Sequence, residues 1–190
     1  MTTTSTVTPE LTGNYTIDVA HTRIGFSARH AMVTKVRGAF NQFEGFAYLD
    51  AADPTKSTAK VTIAAKSIDT RNEQRDAHLR SNDFLDLDKY PEITFTSTSV
   101  TPNGNDVYTV TGDLTIRGVT KPVSIDFEFT GAAVDPFGNH RVGFEGSTVI
   151  NRKDWGVSYN AALEAGGLLV SENVTLEFEV SAIKDAEPAS

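Results

Sequence analysis

The sequence predicts an all-β fold, an antiparallel up-and-down barrel of about eight strands with one inserted helix at about 70–81. Three observations lead there. Apolar and polar residues alternate in short runs along most of the chain, as in Val123, Ile125, Phe127 and Phe129 against Ser124, Asp126 and Glu128. Such period-two patterning marks strands with one buried and one solvated face, the condition of an antiparallel sheet. Hairpin-length turn signals separate the runs, and the alternation gives way to a helical pattern once, within 67–97. A barrel of that strand number is either filled by its own side chains or holds one small ligand.

The elements follow in order. Tyr15, Ile17 and Val19 alternate before a turn at His21-Thr22, and Ile24, Phe26 and Ala28 form the next apolar side. Over 36–50 the parity shifts: Phe40 is followed by Phe43, Gly45, Ala47 and Leu49 on one face, which predicts a bulge near Asn41-Gln42. Ala52-Asp53-Pro54 is a turn, and Val61 and Ile63 mark the strand that leads into the insert. Thr70 and Glu73 have the spacing of a capping box, and no Gly, Pro or β-branched residue follows up to Ser81. The predicted helix, about twelve residues and ~18 Å long, is a suitable length to cross a barrel mouth. Asn82 is placed to cap a second short turn, and Pro91 returns the chain to an extended strand containing Ile93 and Phe95. Val110, Leu114 and Ile116, then Val123 to Phe129, then Val142, Phe144 and Ile150, and last Val174, Leu176, Phe178 and Val180 supply the remaining strands. The segment 161–170, with its Gly166-Gly167 pair, fits no element.

The 190 residues read as one domain, with 1–12 and 185–190 expected to be frayed ends. The absence of cysteine excludes disulfides, cysteine–zinc sites and thiol nucleophiles. A net charge of −8 argues against nucleic acid and anionic membrane surfaces as primary partners. It fits a monomer or small oligomer, a homodimer included. No run approaches the ~20 apolar residues needed to span a bilayer, so no stable membrane insertion is expected. The N-terminal residues show no basic-then-apolar secretory pattern, and the expected location is cytoplasmic.

The strands place Phe26, Phe43, Ile63, Phe95, Leu114, Ile116, Ile125, Phe127, Phe144, Leu176 and Phe178 inside, a set without His, acid or Lys. Mutual packing is the ordinary fate of such residues. Gly25, Gly45, Gly112, Gly143 and Gly146 supply no bulk, and the insert lacks an apolar stripe wide enough to lie on a sheet. An apolar tunnel with a polar lid therefore competes with a filled interior. Chemistry is poorly represented. Asp76 and His78 are two apart and diverge on a helix, no nucleophile elbow is present, and His21, His30, His78 and His140 are scattered. No catalytic residue, metal or cofactor is assigned. Arg75, His78, Arg80 and Arg152 are the candidates for a head-group contact or a lid network. For the arginines of the insert, pairing with nearby acids such as Asp76 and Asp83 is the competing account.

Several stretches are similar to one family in register. They are Ser67-Ile68-Asp69-Thr70, Arg75-Asp76-Ala77-His78-Leu79, Asp83-Phe84 and Tyr90-Pro91-Glu92-Ile93-Thr94-Phe95 with Ser97. Gly112-Asp113-Leu114-Thr115-Ile116-Arg117-Gly118-Val119-Thr120-Lys121-Pro122 and Asn151-Arg152-Lys153-Asp154-Trp155-Gly156 continue the match, as does the closing strand. Together they resemble the YceI-like, polyisoprenoid-binding family. The resemblance implies an extended lipocalin-like barrel that holds a long isoprenoid chain in its tunnel, of the polyprenyl phosphate or isoprenoid quinone type. It implies a non-enzymatic carrier, although many relatives are periplasmic. Two rivals stay open: an enzyme acting on a similar lipid through Arg75, Asp76 and His78, and a stress-response interaction module with a filled barrel.

Overall fold

The computed structural model describes residues 7–161, 163 and 169–186. Among these, the strands are β1 (Gly13–Ile17), β2 (Arg23–His30), β3 (Thr34–Phe40), β4 (Phe43–Leu49), β5 (Thr58–Ala64), β6 (Ile68–Asp69), β7 (Glu92–Pro102), β8 (Val107–Ile116), β9 (Val119–Val134), β10 (His140–Asn151) and β11 (Asn173–Lys184), with one α-helix, α1 (Glu73–Arg80). All lie in one antiparallel sheet ordered β1-β4-β5-β7-β8-β9-β10-β11-β2-β3-β6, and β1 also pairs β11, which closes it. Three pairs are halves of bent strands. β1 and β2 break at Asp18 to Thr22, β3 and β4 at Asn41-Gln42, and β5 and β6 at a 3-10 turn, Ala65–Ser67. Register continues across each break: β2 pairs β3 as β1 pairs β4, and β3 pairs β6 as β4 pairs β5. The fold is thus an eight-strand, closed, antiparallel barrel, and the parity shift at Asn41-Gln42 marks one of its bends.

The alternation places side chains as expected. On the outer face Thr109 Oγ1 donates to Asp126 Oδ1 at 2.6 Å, and Thr111 and Ser124 hydroxyls meet at 2.7 Å across β8 and β9. Such cross-strand pairs fix register where no core packing can. Inside, two clusters form. One gathers Ile24, Ile63, Ile93, Leu114, Ile125 and Trp155, the other Tyr15, Phe129, Val142 and Ala182 at the opposite end.

Three expectations are corrected. The helix is eight residues, about 12 Å long at 1.5 Å per residue, because Arg71 takes a left-handed φ of 62° that breaks the chain between Thr70 and Asn72. Asn72 is the cap, its Oδ1 accepting the Arg75 N–H at 2.9 Å. Thr70 is buried, and its hydroxyl and N–H both donate to Asp76 Oδ1. The following turn is held by Ser81, whose carbonyl accepts the Phe84 N–H and whose hydroxyl accepts the Asp83 N–H, so Asn82 is not its cap. Second, Gly112 and Gly146 do not leave room inside. A Cβ on Gly112 would lie 2.5 Å from the Phe95 ring and one on Gly146 2.8 Å from Phe127, so aromatic rings already occupy the space above them. Third, residues 7–12 and Asp185 are tied down. Val7 and Leu11 pack on the Tyr15 cluster, the Tyr15 hydroxyl donates to Leu11 O, and the Asp185 N–H donates to Asn14 O. The expected fraying of 1–6 and 187–190 and part of the unassigned 161–170 segment lie outside the described residues.

The bend between β1 and β2 is pinned electrostatically. Arg141 Nη1 donates to Asp18 Oδ2 at 2.6 Å and its Nε to Asp135 Oδ2 at 2.7 Å. The guanidinium is the main reason both carboxyls sit below their ordinary value of 3.8. A carboxyl with a depressed folded pKa contributes stability that is present above its unfolded pKa and lost as pH falls through its folded one. Wild type should therefore lose melting temperature on acidification below about pH 4 faster than Arg141→Met, which starts lower, so their curves converge in acid. Parallel melting curves across that range would refute this role for the pair of ion pairs.

Candidate ligand-binding cavity

The barrel encloses a cavity of about 360 Å³, within the ~300–1,000 Å³ span typical of small-molecule sites. It extends from Tyr15, Phe129 and Val142 at one end to Leu79, Phe84, Leu85 and Val157 at the other. Phe26, Ile63, Phe95, Leu114, Ile116, Ile125, Phe127, Phe144, Leu176 and Phe178 line it, whereas Phe43 packs behind them against the Ile63 cluster. Their rings are tilted against one another, with Phe127 and Phe178 at 5.8 Å and Phe26 and Phe40 at 5.7 Å between centroids. Rings in such contact present a continuous apolar wall.

The insert closes the second end. Phe84 is buried, Leu85 and Leu87 pack on the core, and Arg117 Nη1 donates to Phe84 O at 2.6 Å. Tyr90 lies over Gly118, and Pro91 O accepts the Ala65 N–H. The polar residues of the insert serve this geometry. Arg75 Nε donates to the Thr70 hydroxyl at 2.7 Å and its Nη2 to Thr70 O at 2.6 Å. Arg80 donates to Lys66 O and Ile68 O. These contacts correct the expected pairing of Arg75 and Arg80 with acids: backbone and hydroxyl oxygens take the guanidiniums. His78 Nε2 meets Asp83 Oδ2 at 2.8 Å, and its ring packs edge-on against Phe84 and Tyr159. Asp76 is bonded to Thr70 instead, so Asp76 and His78 form no acid–base pair. Among the described residues no group of three His, Asp or Glu side chains could hold a metal ion.

Of the four head-group candidates, Arg152 is the one that lines the cavity; Arg75, His78 and Arg80 do not line it. Arg152 begins a 3-10 turn, Arg152–Trp155, that Asn151 caps and Gly156 ends with a left-handed φ of 77°. Trp155 Nε1 donates to Leu114 O at 2.9 Å, which fastens this corner to β8. The Arg152 guanidinium is buried and donates to three backbone oxygens: Ser171 O at 2.9 Å, Val157 O at 2.7 Å and Val170 O at 3.3 Å. No carboxylate pairs with it among the described residues. Burial works against its charge, and the field of Glu172 partly offsets that. The cavity wall is thus almost wholly apolar, with Arg152 at this end and Asp50 elsewhere as the charged residues that line it among the described residues. Strand periodicity does not reveal the contributions of Leu79, Val157 and Val170, because they come from the insert and from irregular chain.

Comparison with known proteins places this architecture. The family model described as the YceI-like domain matches residues 15–182. UPF0312 protein SA2479 of Staphylococcus aureus (strain N315) is 41% identical over 170 residues, covering 89% of this chain and 95% of that protein. The crystal structure of the Campylobacter jejuni YCEI protein superposes with a TM-score of 0.72 at 30% identity, covering 83% of this chain and 90% of the other. A polyisoprenoid binding domain from Saccharophagus degradans, implicated in plant cell wall breakdown, has a TM-score of 0.66 at 16% identity over 90% of this chain and 98% of its own, and shares the fold. With the family model matching residues 15–182 and a relative 41% identical over 89% of the chain, the chain belongs to the YceI-like family.

Proposed function

We propose that this protein carries or sequesters an amphiphilic isoprenoid lipid, of the polyprenyl phosphate or isoprenoid quinone type, without acting on it chemically. The observation behind this reading is the cavity itself: a ring-lined apolar space with a buried guanidinium at one end. The shared fold with the polyisoprenoid binding domain from Saccharophagus degradans supports it. In this reading the tail lies among Phe26, Phe95, Phe127, Phe144 and Phe178, with Ile63, Leu114, Ile125 and Leu176 between the rings. Each buried methylene contributes ~0.8 kcal/mol, so a long tail outweighs the ordering costs of binding. Arg152 has two N–H donors beyond its three backbone bonds. Those donors suit a phosphate or quinone oxygen at the head of the chain.

An enzymatic reading needs Arg75, Asp76 and His78 to act together, and their hydrogen bonds go elsewhere. A filled-barrel interaction module conflicts with the cavity. Native mass spectrometry of the purified protein, followed by lipid extraction, should show a co-purified isoprenoid, and His78→Ala should retain it. A protein that emerges lipid-free and fails to take up a polyprenyl probe at micromolar levels ends the carrier reading.

A further inference from the structure

The hairpin formed by β2 and β3 departs from the rest of the molecule in three ways. Its tip is a three-residue loop, Ala31 to Val33, between the paired His30 and Thr34; Ala31 and Met32 both take positive φ, 51° and 61°, and the Val33 N–H donates to His30 O at 3.1 Å. Two positive-φ positions in a hairpin turn normally carry Asn or Gly, since a Cβ there is strained. The residues found instead leave Met32 67% and Val33 77% exposed. The flanks are basic: Arg29, His30, Lys35 and Arg37 are all exposed, and 29–37 contains no acid in a chain of net charge −8. Register sets Arg29 directly opposite Lys35 and places Arg37 on the same outer face. Like charges opposed across a pair of strands are destabilising. None of the three Lys and Arg side chains pairs with a carboxylate among the described residues; Arg29 Nη1 donates to Val33 O instead. Strain, opposed charge and exposed apolar surface all weaken the fold, and all three are concentrated at one tip.

The hairpin also has a fixed relation to the cavity. The Ala31 N–H donates to Leu169 O at 2.7 Å, and the Ser171 N–H donates to Arg29 O at 3.0 Å. Ser171 O in turn accepts from Arg152 Nε, and Ala28 of β2 lines the cavity. Tip and cation-bearing cavity end are therefore joined by two backbone hydrogen bonds and the Arg152 side-chain bond to Ser171 O. The opposite end of the barrel also exposes an aromatic residue, Phe137 at 88%, in the turn between β9 and β10. There, however, Asp135 takes the Arg141 guanidinium and no cationic surplus forms.

We propose that the β2–β3 hairpin docks the protein on anionic phospholipid bilayers, setting the Arg152 end of the cavity against the membrane surface. Apolar side chains suit the boundary between head groups and acyl chains, and exposed Lys and Arg suit lipid phosphates. The acidity of the whole chain does not oppose this contact. At physiological salt, charges farther than ~8 Å away are largely screened, so the hairpin's own charge governs. The contact is peripheral and reversible, as two apolar side chains and three cations require, and it leaves the barrel closed. It reaches beyond the carrier reading, because docking needs no particular cargo.

The test is flotation of the full chain with vesicles of phosphatidylglycerol and phosphatidylethanolamine, against phosphatidylcholine alone. The protein should float with the anionic vesicles at physiological salt, be released at high salt, and ignore phosphatidylcholine. Neutralising Lys35 and Arg37 together (K35Q, R37Q) should weaken the association about 30-fold, from roughly fivefold per cation. Met32→Ser with Val33→Ser should weaken it too, and Phe137→Ser should leave it unchanged. Melting temperature serves as the folding control, and Lys35→Gln relieves a like-charge contact instead of removing a support. Co-purified lipid, read in the same samples, should not differ between wild type and hairpin variants, which separates docking from cargo binding. Absence of wild-type flotation, equal binding to both vesicle types, or hairpin variants that float like wild type would overturn the proposal.

Discussion

An Ala28→Trp variant is expected to fold normally and to hold its lipid at least about a hundredfold more weakly than wild type, since displacing four tail methylenes at ~0.8 kcal/mol each removes about 3 kcal/mol. Ala28 lies on β2 with its small side chain in the cavity wall, paired in register with Val36. Enlarging a residue inside a packed core ordinarily costs 1–3 kcal/mol in strain, but here the added ring faces the cavity. Binding should therefore fall far more than stability. The readouts are retained isoprenoid by native mass spectrometry and melting temperature by circular dichroism. A folded variant with undiminished lipid would show that the tail does not lie along this wall.

The strands were legible because each obeys a local rule. In β9 every second residue from Val123 to Phe129 is apolar, and no long-range information is needed to orient it. The bend at Asn41-Gln42 was legible for the same reason, as a parity slip. The insert was legible only in outline. Thr70 and Glu73 have the spacing of a capping box, but Asp76 recruits the Thr70 hydroxyl into a buried hydrogen bond and Arg71 adopts a left-handed conformation. Tertiary competition for one hydroxyl moved the helix start, and sequence spacing does not register that competition. The arginines of the insert failed similarly: nearby acids offered a charge argument, while the folded chain supplied backbone carbonyls at closer range. Glycine was misread in the opposite direction, because its missing side chain invites a neighbouring ring and Phe95 fills the place above Gly112.

Arg152 carries the other large expected effect. Arg152→Met keeps most of the side-chain volume and removes the guanidinium, leaving the carbonyls of Ser171 and Val157 without their donor, while Val170 O keeps the Asn160 Nδ2 donor at 2.7 Å. An unsatisfied buried acceptor costs about 1–3 kcal/mol. The bonds to Ser171 and Val170 are only partly buried, and relief of a desolvated charge offsets part of the loss. The net is about 3 kcal/mol, which for a chain of this size lowers the melting temperature by about 6–12 °C. Arg152→Lys should rescue little, since one ammonium cannot span three carbonyls that a planar fork reaches. An unchanged melting temperature in Arg152→Met would mean that the corner between β10 and β11 is held by Trp155 and the Lys153–Glu172 ion pair instead. The lipid readout then separates strut from recognition. If Arg152 only braces the corner, Arg152→Met loses stability while its cargo keeps the same head group. If the guanidinium also receives an oxygen of the head, the residual cargo shifts from phosphate-bearing to neutral lipids, a change that loss of a strut alone would not produce.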